Sequence, residues 1–197
     1  MATVLQQLNV EMATIVVRVR RSLVQLSHGR RGVGAGILWP PDGLIVTNAH
    51  VVQHHASPPA ILSDGRILPT RLLATDTDHD LAALSVAASG LPTIELGAPE
   101  PLQPGQWVLA LGHPWGVAGA ATAGVIIGVG PPPEMPQFRG ELIQVGVHLR
   151  PGHSGGPLVD VQSRVVGIHT MMAGPDVGLA VPLHVVKTFL HRLPGNP

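Results

Sequence analysis

Between Leu5 and Val19 the apolar residues Leu5, Leu8, Met12, Ile15, Val16 and Val19 recur at spacings of three and four, which predicts one amphipathic helix ahead of the rest of the chain. From Leu23 onward the pattern changes to short β-branched and aliphatic runs broken by turn residues. They are LVQL, GAGILW, GLIVTN, AILSDGRILPTRLLA and LAALSV, then PGQWVLAL, GVIIGVG, ELIQVGV, GGPLVD and RVVGIHT. Runs of this kind read as strands. A last helix is predicted over Pro182 to Leu193, with proline at its start and Val185, Val186, Phe189 and Leu190 on one face. Proline and glycine interrupt the strand series about halfway, at Gly97 to Gly105, which marks a seam between two groups of strands. The run PPPEMP (Pro131 to Pro136) reads as a stiff surface loop.

Composition narrows this picture. The frequent turn formers, 24 Gly and 20 Pro, suit many short strands, and with aromatics at 3% the core must be aliphatic. A length of 197 residues fits a single structural unit with two halves: a helical segment over 1–21, one group of strands over 22–100, and a second with its helix over 101–197. With 12 Lys+Arg against 12 Asp+Glu, no excess positive field exists to draw in nucleic acid or an anionic membrane surface. The absence of cysteine removes disulfides and thiolate metal sites. MATVLQQLNV lacks the basic-then-apolar order of a secretory signal, and no apolar run reaches the roughly 20 residues of a membrane span. A cytoplasmic location is expected, or a periplasmic or secreted one for a chain cut after a leader.

Three segments carry chemistry. Hydrolysis of an amide needs a nucleophile, a base, a group that holds the base in the right tautomer, and donors for the oxyanion. TNAHVV supplies His50, DTDHDLAAL supplies Asp80, and RPGHSGGPLVD supplies Ser154. Asp76 and Asp78 are alternatives to Asp80, which is preferred because it directly precedes the buried-looking LAAL. Gly152, Gly155 and Gly156 let the backbone turn tightly against a substrate carbonyl, and the amides of Gly152 and Ser154 are the expected oxyanion hole. No cofactor is needed for this chemistry. A competing metal reading rests on His50 and His54 at i, i+4, but the glutamate of H-E-x-x-H is missing. His54, His55, His79, His113 and His184 are read as surface or loop residues. Gly152 to Gly156 also fits G-x-S-x-G, yet that elbow needs a helix after the serine, and Pro157 with PLVD argues for a strand. Gly32, Gly34 and Gly36 (GVGAG) precede a strand and not a helix, so they fit close strand packing better than a dinucleotide loop.

TNAHVV, DHDLAAL, GHSGGPL, VVGIHT and GLAVP together resemble the trypsin-like bacterial serine peptidases related to the HtrA-like proteases, over a stretch from about Val16 to the last helix. The resemblance implies an all-β fold of two antiparallel β-barrels, chymotrypsin-like, with the active site between them. It implies a serine endopeptidase acting on unfolded or exposed protein segments, and a homo-oligomer, a trimer, as its assembled form. The alternative is a catalytically silent peptide-binding module of the same fold. Members often carry a PDZ domain after the protease, whereas this sequence stops after its final helix. Their usual Gly-Asn-Ser is here Gly152-His153-Ser154, and their Thr-Asp before that turn is Val145-Gly146. By the same resemblance His148, Leu149, His169, Val177, Leu179 and Ala180 line the pocket for the side chain before the scissile bond. The segments around them hold no carboxylate, so Lys or Arg would lack a partner, and Leu149, Val177, Leu179 and Ala180 favour Val, Ala or Leu. His169, with His148, would instead suit Glu.

Overall fold

In the computed structural model, which describes residues 3–27, 33–40, 42–97, 101–131 and 140–193, helix α1 (Val4–Arg20) opens on Thr3. The Thr3 hydroxyl accepts the Gln6 N–H while the Gln6 side chain accepts the Thr3 N–H, a capping box that satisfies two orphan donors. Arg18 and Arg20 in the last turn suit the negative end of the helix dipole. Only the C-terminal half, tethered to the first strand, packs inward: Ile15 and Val19 are buried and Met12 and Val16 lean on the core. Leu5 and Leu8, placed on the apolar face by their spacing, stay exposed at 74% and 51%. No helix among the described residues is long and apolar enough to cross a membrane.

The strands that follow are β1 (Leu23–Ser27), β2 (Val33–Trp39), β3 (Leu44–Thr47), β4 (Ala60–Ile61), β5 (Ile67–Leu68), β6 (Thr70–Asp76) and β7 (Leu81–Val86), with the short helix α2 (Ala49–Val52) after β3. They form one antiparallel sheet in the order β5-β4-β1-β2-β3-β7-β6. The second group is β8 (Glu95–Leu96), β9 (Trp107–Gly112), β10 (Ala120–Gly130), β11 (Leu142–Val145), β12 (Pro157–Asp160), β13 (Arg164–Met172) and β14 (Gly178–Pro182). Its order β12-β9-β10-β11-β14-β13 closes through β12–β13 into a six-stranded antiparallel barrel, and β8 adds to β13 in parallel. The architecture is all-β, as the punctuated strand pattern predicts. The strand pairings close the second half into a barrel, whereas those of the first half form a seven-stranded sheet. β8 lies before the expected seam yet already belongs to the second sheet. Residues 98–100 of that seam, Gly32, and 132–136 of the proline-rich loop fall outside the described residues.

One aliphatic core joins the halves, with Ile37, Val46 and Leu81 from the first sheet meeting Leu109, Leu111, Ile168 and Val181 from the second. Gly34 and Gly36 sit where a Cβ would press on Val51 and Ile45, which is the close strand packing their spacing implies. Helix α3 (Leu183–His191) closes the chain by burying Val186, Phe189 and Leu190, each worth about 1.5–3 kcal/mol when fully removed from water.

Candidate active site

His50 stands in α2, one turn of helix directly after β3. Its cap residue Asn48 does not cap: the buried Asn48 Nδ2 donates to the Asp80 carbonyl at 2.9 Å, tying the helix start to the β6–β7 turn. Antiparallel pairing of β3 with β7, Thr47 opposite Ala82, brings Asp80 beside His50. Asp80 takes φ 53°, a left-handed conformation that Asp tolerates better than most residues. Its carboxylate accepts three donors: the His50 N–H at 3.0 Å, the His50 ring Nδ1 at 2.7 Å, and the Thr170 hydroxyl at 2.5 Å. The Asp80 side chain is only 10% exposed and that of His50 43%, so the acid is sheltered while the imidazole faces solvent. Of the three aspartates open from sequence, Asp80 meets His50. Asp76 pairs instead with His79 Nδ1 at 2.8 Å, and Asp78 lines the cleft.

The turn carrying Ser154 follows from Arg150-Pro151-Gly152-His153. Proline fixes the second position, Gly152 supplies φ 104° at the third, and the His153 N–H donates to the Arg150 carbonyl at 2.9 Å, the pattern of a type II turn. Neither the Gly152 nor the Ser154 amide donates a hydrogen bond among the described residues, so both remain available to an oxyanion. Both sheets hold the turn: Ala35 N–H donates to the Ser154 carbonyl at 2.8 Å, and His113 N–H to the Gly152 carbonyl at 2.8 Å. A Cβ at Gly155 would strike the Ala35 carbonyl and the Thr47 hydroxyl, so glycine is required there. The Ser154 hydroxyl donates to the Thr170 carbonyl at 3.0 Å. Thr170 therefore touches Ser154 through its backbone and Asp80 through its side chain.

A cleft of about 720 Å³ unites His50, Asp80 and Ser154 with Thr77, Asp78, Leu149, Arg150, Pro151, Thr170, Met171 and Met172. Of the residues expected to form a substrate pocket, Leu149 lines this cleft. His169, Leu179 and Ala180 do not, because their side chains are fully buried in the second barrel. Val177 leans on the core, and the exposed His148 lies 3.6 Å from Asp176. The cleft does hold two carboxylates, Asp78 and Asp80, both outside the segments expected to wall the pocket. Its apolar lining beside Leu149 comes from Met171 and Met172, which the sequence reading left out, and Met172 Sδ accepts the Leu149 N–H at 3.2 Å.

Beneath the turn lie three buried imidazoles. His113 is read from sequence as a surface residue, but it sits just past β9 and is almost wholly buried. Burial pushes it down to about 4, aided by the charge of Arg20 and by His153, against a nearby Val24 carbonyl that favours the proton. Burial likewise drives His169 down to about 3, with His153 adding to the effect, and lowers His153 itself. All three rings are therefore neutral at pH 7. Among the described residues no three His, Asp or Glu side chains gather as a metal site.

Comparisons with known proteins agree with this geometry. The family model of the trypsin-like peptidase domain matches residues 34–168. A putative serine protease HhoB of Synechocystis sp. is 34% identical over 168 residues, covering 83% of this chain and 40% of the relative. A probable periplasmic serine endoprotease DegP-like of Halomonas elongata is 39% identical over 172 residues, covering 85% of this chain and 36% of the relative. The chain thus spans well under half the length of these two. Among solved structures, the HtrA-type protease AlgW with tripeptide superposes with a TM-score of 0.84 at 28% identity, covering 91% of this chain and 62% of that one. The serine endoprotease from Yersinia pestis superposes at 0.81 with 26% identity, covering 91% and 65%.

Proposed function

We propose that this chain, which belongs to the trypsin-like peptidase domain family, is a serine endopeptidase that cuts unfolded or exposed protein segments. The observation that carries this reading is the His50–Asp80 pair and Ser154 on one cleft beside two unengaged amides. In the reaction, Ser154 Oγ turns from Thr170 to His50, attacks the scissile carbonyl and gives its proton to His50 Nε2. Asp80 accepts the other ring N–H and stabilises the imidazolium without being protonated itself. The Gly152 and Ser154 amides donate to the oxyanion. As the tetrahedral intermediate collapses, His50 returns the proton to the leaving amine, and water repeats the sequence to free the acyl group. The silent peptide-binding alternative keeps the cleft but makes no bond to Ser154.

The side chain before the scissile bond meets Leu149, Met171 and Met172, an apolar wall that suits Val, Ala or Leu. Buried Lys or Arg would lack a partner on that wall, and His169 is too deep to reach a Glu. Cleavage mapping in a proteome-derived peptide library is expected to give cuts after Val, Ala or Leu, absent with Ser154→Ala. Predominant cutting after Glu that is lost in His169→Ala, or cutting after Lys or Arg, rejects the aliphatic pocket. No Ser154-dependent cuts at all would favour the silent module.

The exposed Val4, Leu5 and Leu8 of α1 find their partners in further copies of the chain, arranged as the trimer that resemblance implies. Light scattering on the eluted protein should give three chain masses, and Leu5→Glu with Leu8→Glu should give one. A wild-type protein that runs as a monomer at tens of micromolar would dismiss the assembly.

A further inference from the structure

We infer that His153 is a positioning residue for the oxyanion turn, its ring Nδ1 accepting the Arg150 N–H and so fixing where the Gly152 amide points. This deepens the serine-peptidase reading and rests on it. Nδ1 lies 3.0 Å from the Arg150 nitrogen, while the backbone N–H of His153 donates to the Arg150 carbonyl at 2.9 Å. Residues 150 and 153 are thus tied twice, once through the backbone and once through the ring, around the Pro151–Gly152 peptide. Nδ1 is also 3.1 Å from the Arg150 carbonyl oxygen, so its protonation state chooses between two partners. Without a proton it accepts the Arg150 N–H. With one it confronts that N–H and competes for a carbonyl already engaged by the His153 backbone.

The ring has little room to leave this place. His153 is 3% exposed, and Gly112 lies so close that a Cβ there would come within 2.7 Å of His153 Cα and 3.3 Å of the ring Cδ2. Its other nitrogen, Nε2, is buried without a hydrogen-bond partner, as expected when the ring is retained for what Nδ1 does. The titratable groups around it are the neutral rings of His113 and His169 and the one cation, the Arg150 guanidinium, which stacks on Trp115 at 4.7 Å from the ring centre. None is an anion that would hold a proton on His153. A turn freed of the tie lets the Gly152 amide swing, and an oxyanion donor acts only when aimed at the charge that develops.

Two substitutions separate this role from simple filling of space. In asparagine, Oδ1 is attached to Cγ as Nδ1 is in histidine and can accept the same N–H, whereas leucine fills the volume with no acceptor. With a peptide ester or casein-derived substrate, His153→Leu is expected to lower kcat about ten- to a hundredfold while KM stays within about twofold, and His153→Asn to restore kcat to within about fivefold of wild type. Equal kcat in wild type and His153→Leu, or an Asn variant as impaired as the Leu variant, overturns the assignment. Should His153→Leu fail to fold, nitrogen NMR of the wild-type protein at pH 7 decides: an unprotonated Nδ1 with the proton on Nε2 supports it, and a protonated Nδ1 overturns it. A wild-type protein that turns over no substrate and takes up no fluorophosphonate would instead fault the peptidase reading, and the NMR result would still judge the turn.

Discussion

Replacing Ser154 by alanine should reduce turnover of an unfolded substrate such as casein by at least about 10⁴-fold, and His50→Ala by a similar factor. The two side chains share one proton transfer, so the double variant should be little worse than either single one. What remains is the contribution of the oxyanion amides and of binding, on the order of 10³- to 10⁴-fold over water. Asp80→Asn should preserve the protein's shape while costing about 10⁴-fold, because an amide can offer its N–H to Nδ1 and so favour the wrong tautomer. Here the effect has a second source: Asp80 also accepts the His50 N–H and the Thr170 hydroxyl, so the substitution disturbs three bonds at once. Initial rates on labelled casein, with fluorophosphonate uptake as a parallel count of competent sites, measure all four proteins. A Ser154→Ala protein retaining more than a few per cent of the wild-type rate would remove Ser154 from the mechanism.

Asp80 was legible because sequence order alone made it the residue entering the buried run LAAL, and β7 does begin at Leu81, deep beside β3. The tight turn ahead of Ser154 was legible too, from Gly152, Gly155 and Gly156, although its type II form was not. Met171 and Met172 were not. The resemblance directs attention to His169, but β13 continues to Met172 and its register with β14 shifts between His169 and Met172. Such an irregularity turns the following side chains out of the alternation, here toward the cleft, and no periodic pattern in one strand announces it. His169, Leu179 and Ala180 are all fully buried, Leu179 in the core that joins the halves and Ala180 in a cluster within the second barrel. His113 was missed for a related reason: a histidine between glycine and proline looks like a loop residue. The signal that would have found it is the unbroken apolar run VLAL just ahead, which enters the barrel and delivers the next side chains to the floor under the GHSGG turn.

Those buried histidines predict a protein that loses stability in mild acid. In the unfolded chain an imidazole takes a proton near 6.5, whereas His113 resists until about 4 and His169 until about 3, in both cases chiefly because burial strips the charged form of water. A folded value below the unfolded one means that the stability is complete above about 6.5 and drains away as the pH falls toward the folded value. Over that window each ring costs about 1.4 kcal/mol per pH unit. His113 therefore removes about 3 kcal/mol by pH 4 and His169 about 5 kcal/mol by pH 3, and His153 acts in the same direction. Set against the 5–15 kcal/mol that holds a typical domain together, this is enough to unfold it near the lower end of the window. Unfolding midpoints followed by circular dichroism should fall steeply from pH 7 to pH 4.5. His169→Leu should flatten that slope by one proton and raise the midpoint at pH 5, because neither ring nitrogen of His169 has a hydrogen-bond partner to lose and only the Pro157 carbonyl nearby favours its charged form. A wild-type midpoint that stays level across this range, or a His169→Leu slope equal to that of wild type, would show that the buried rings do not govern acid stability.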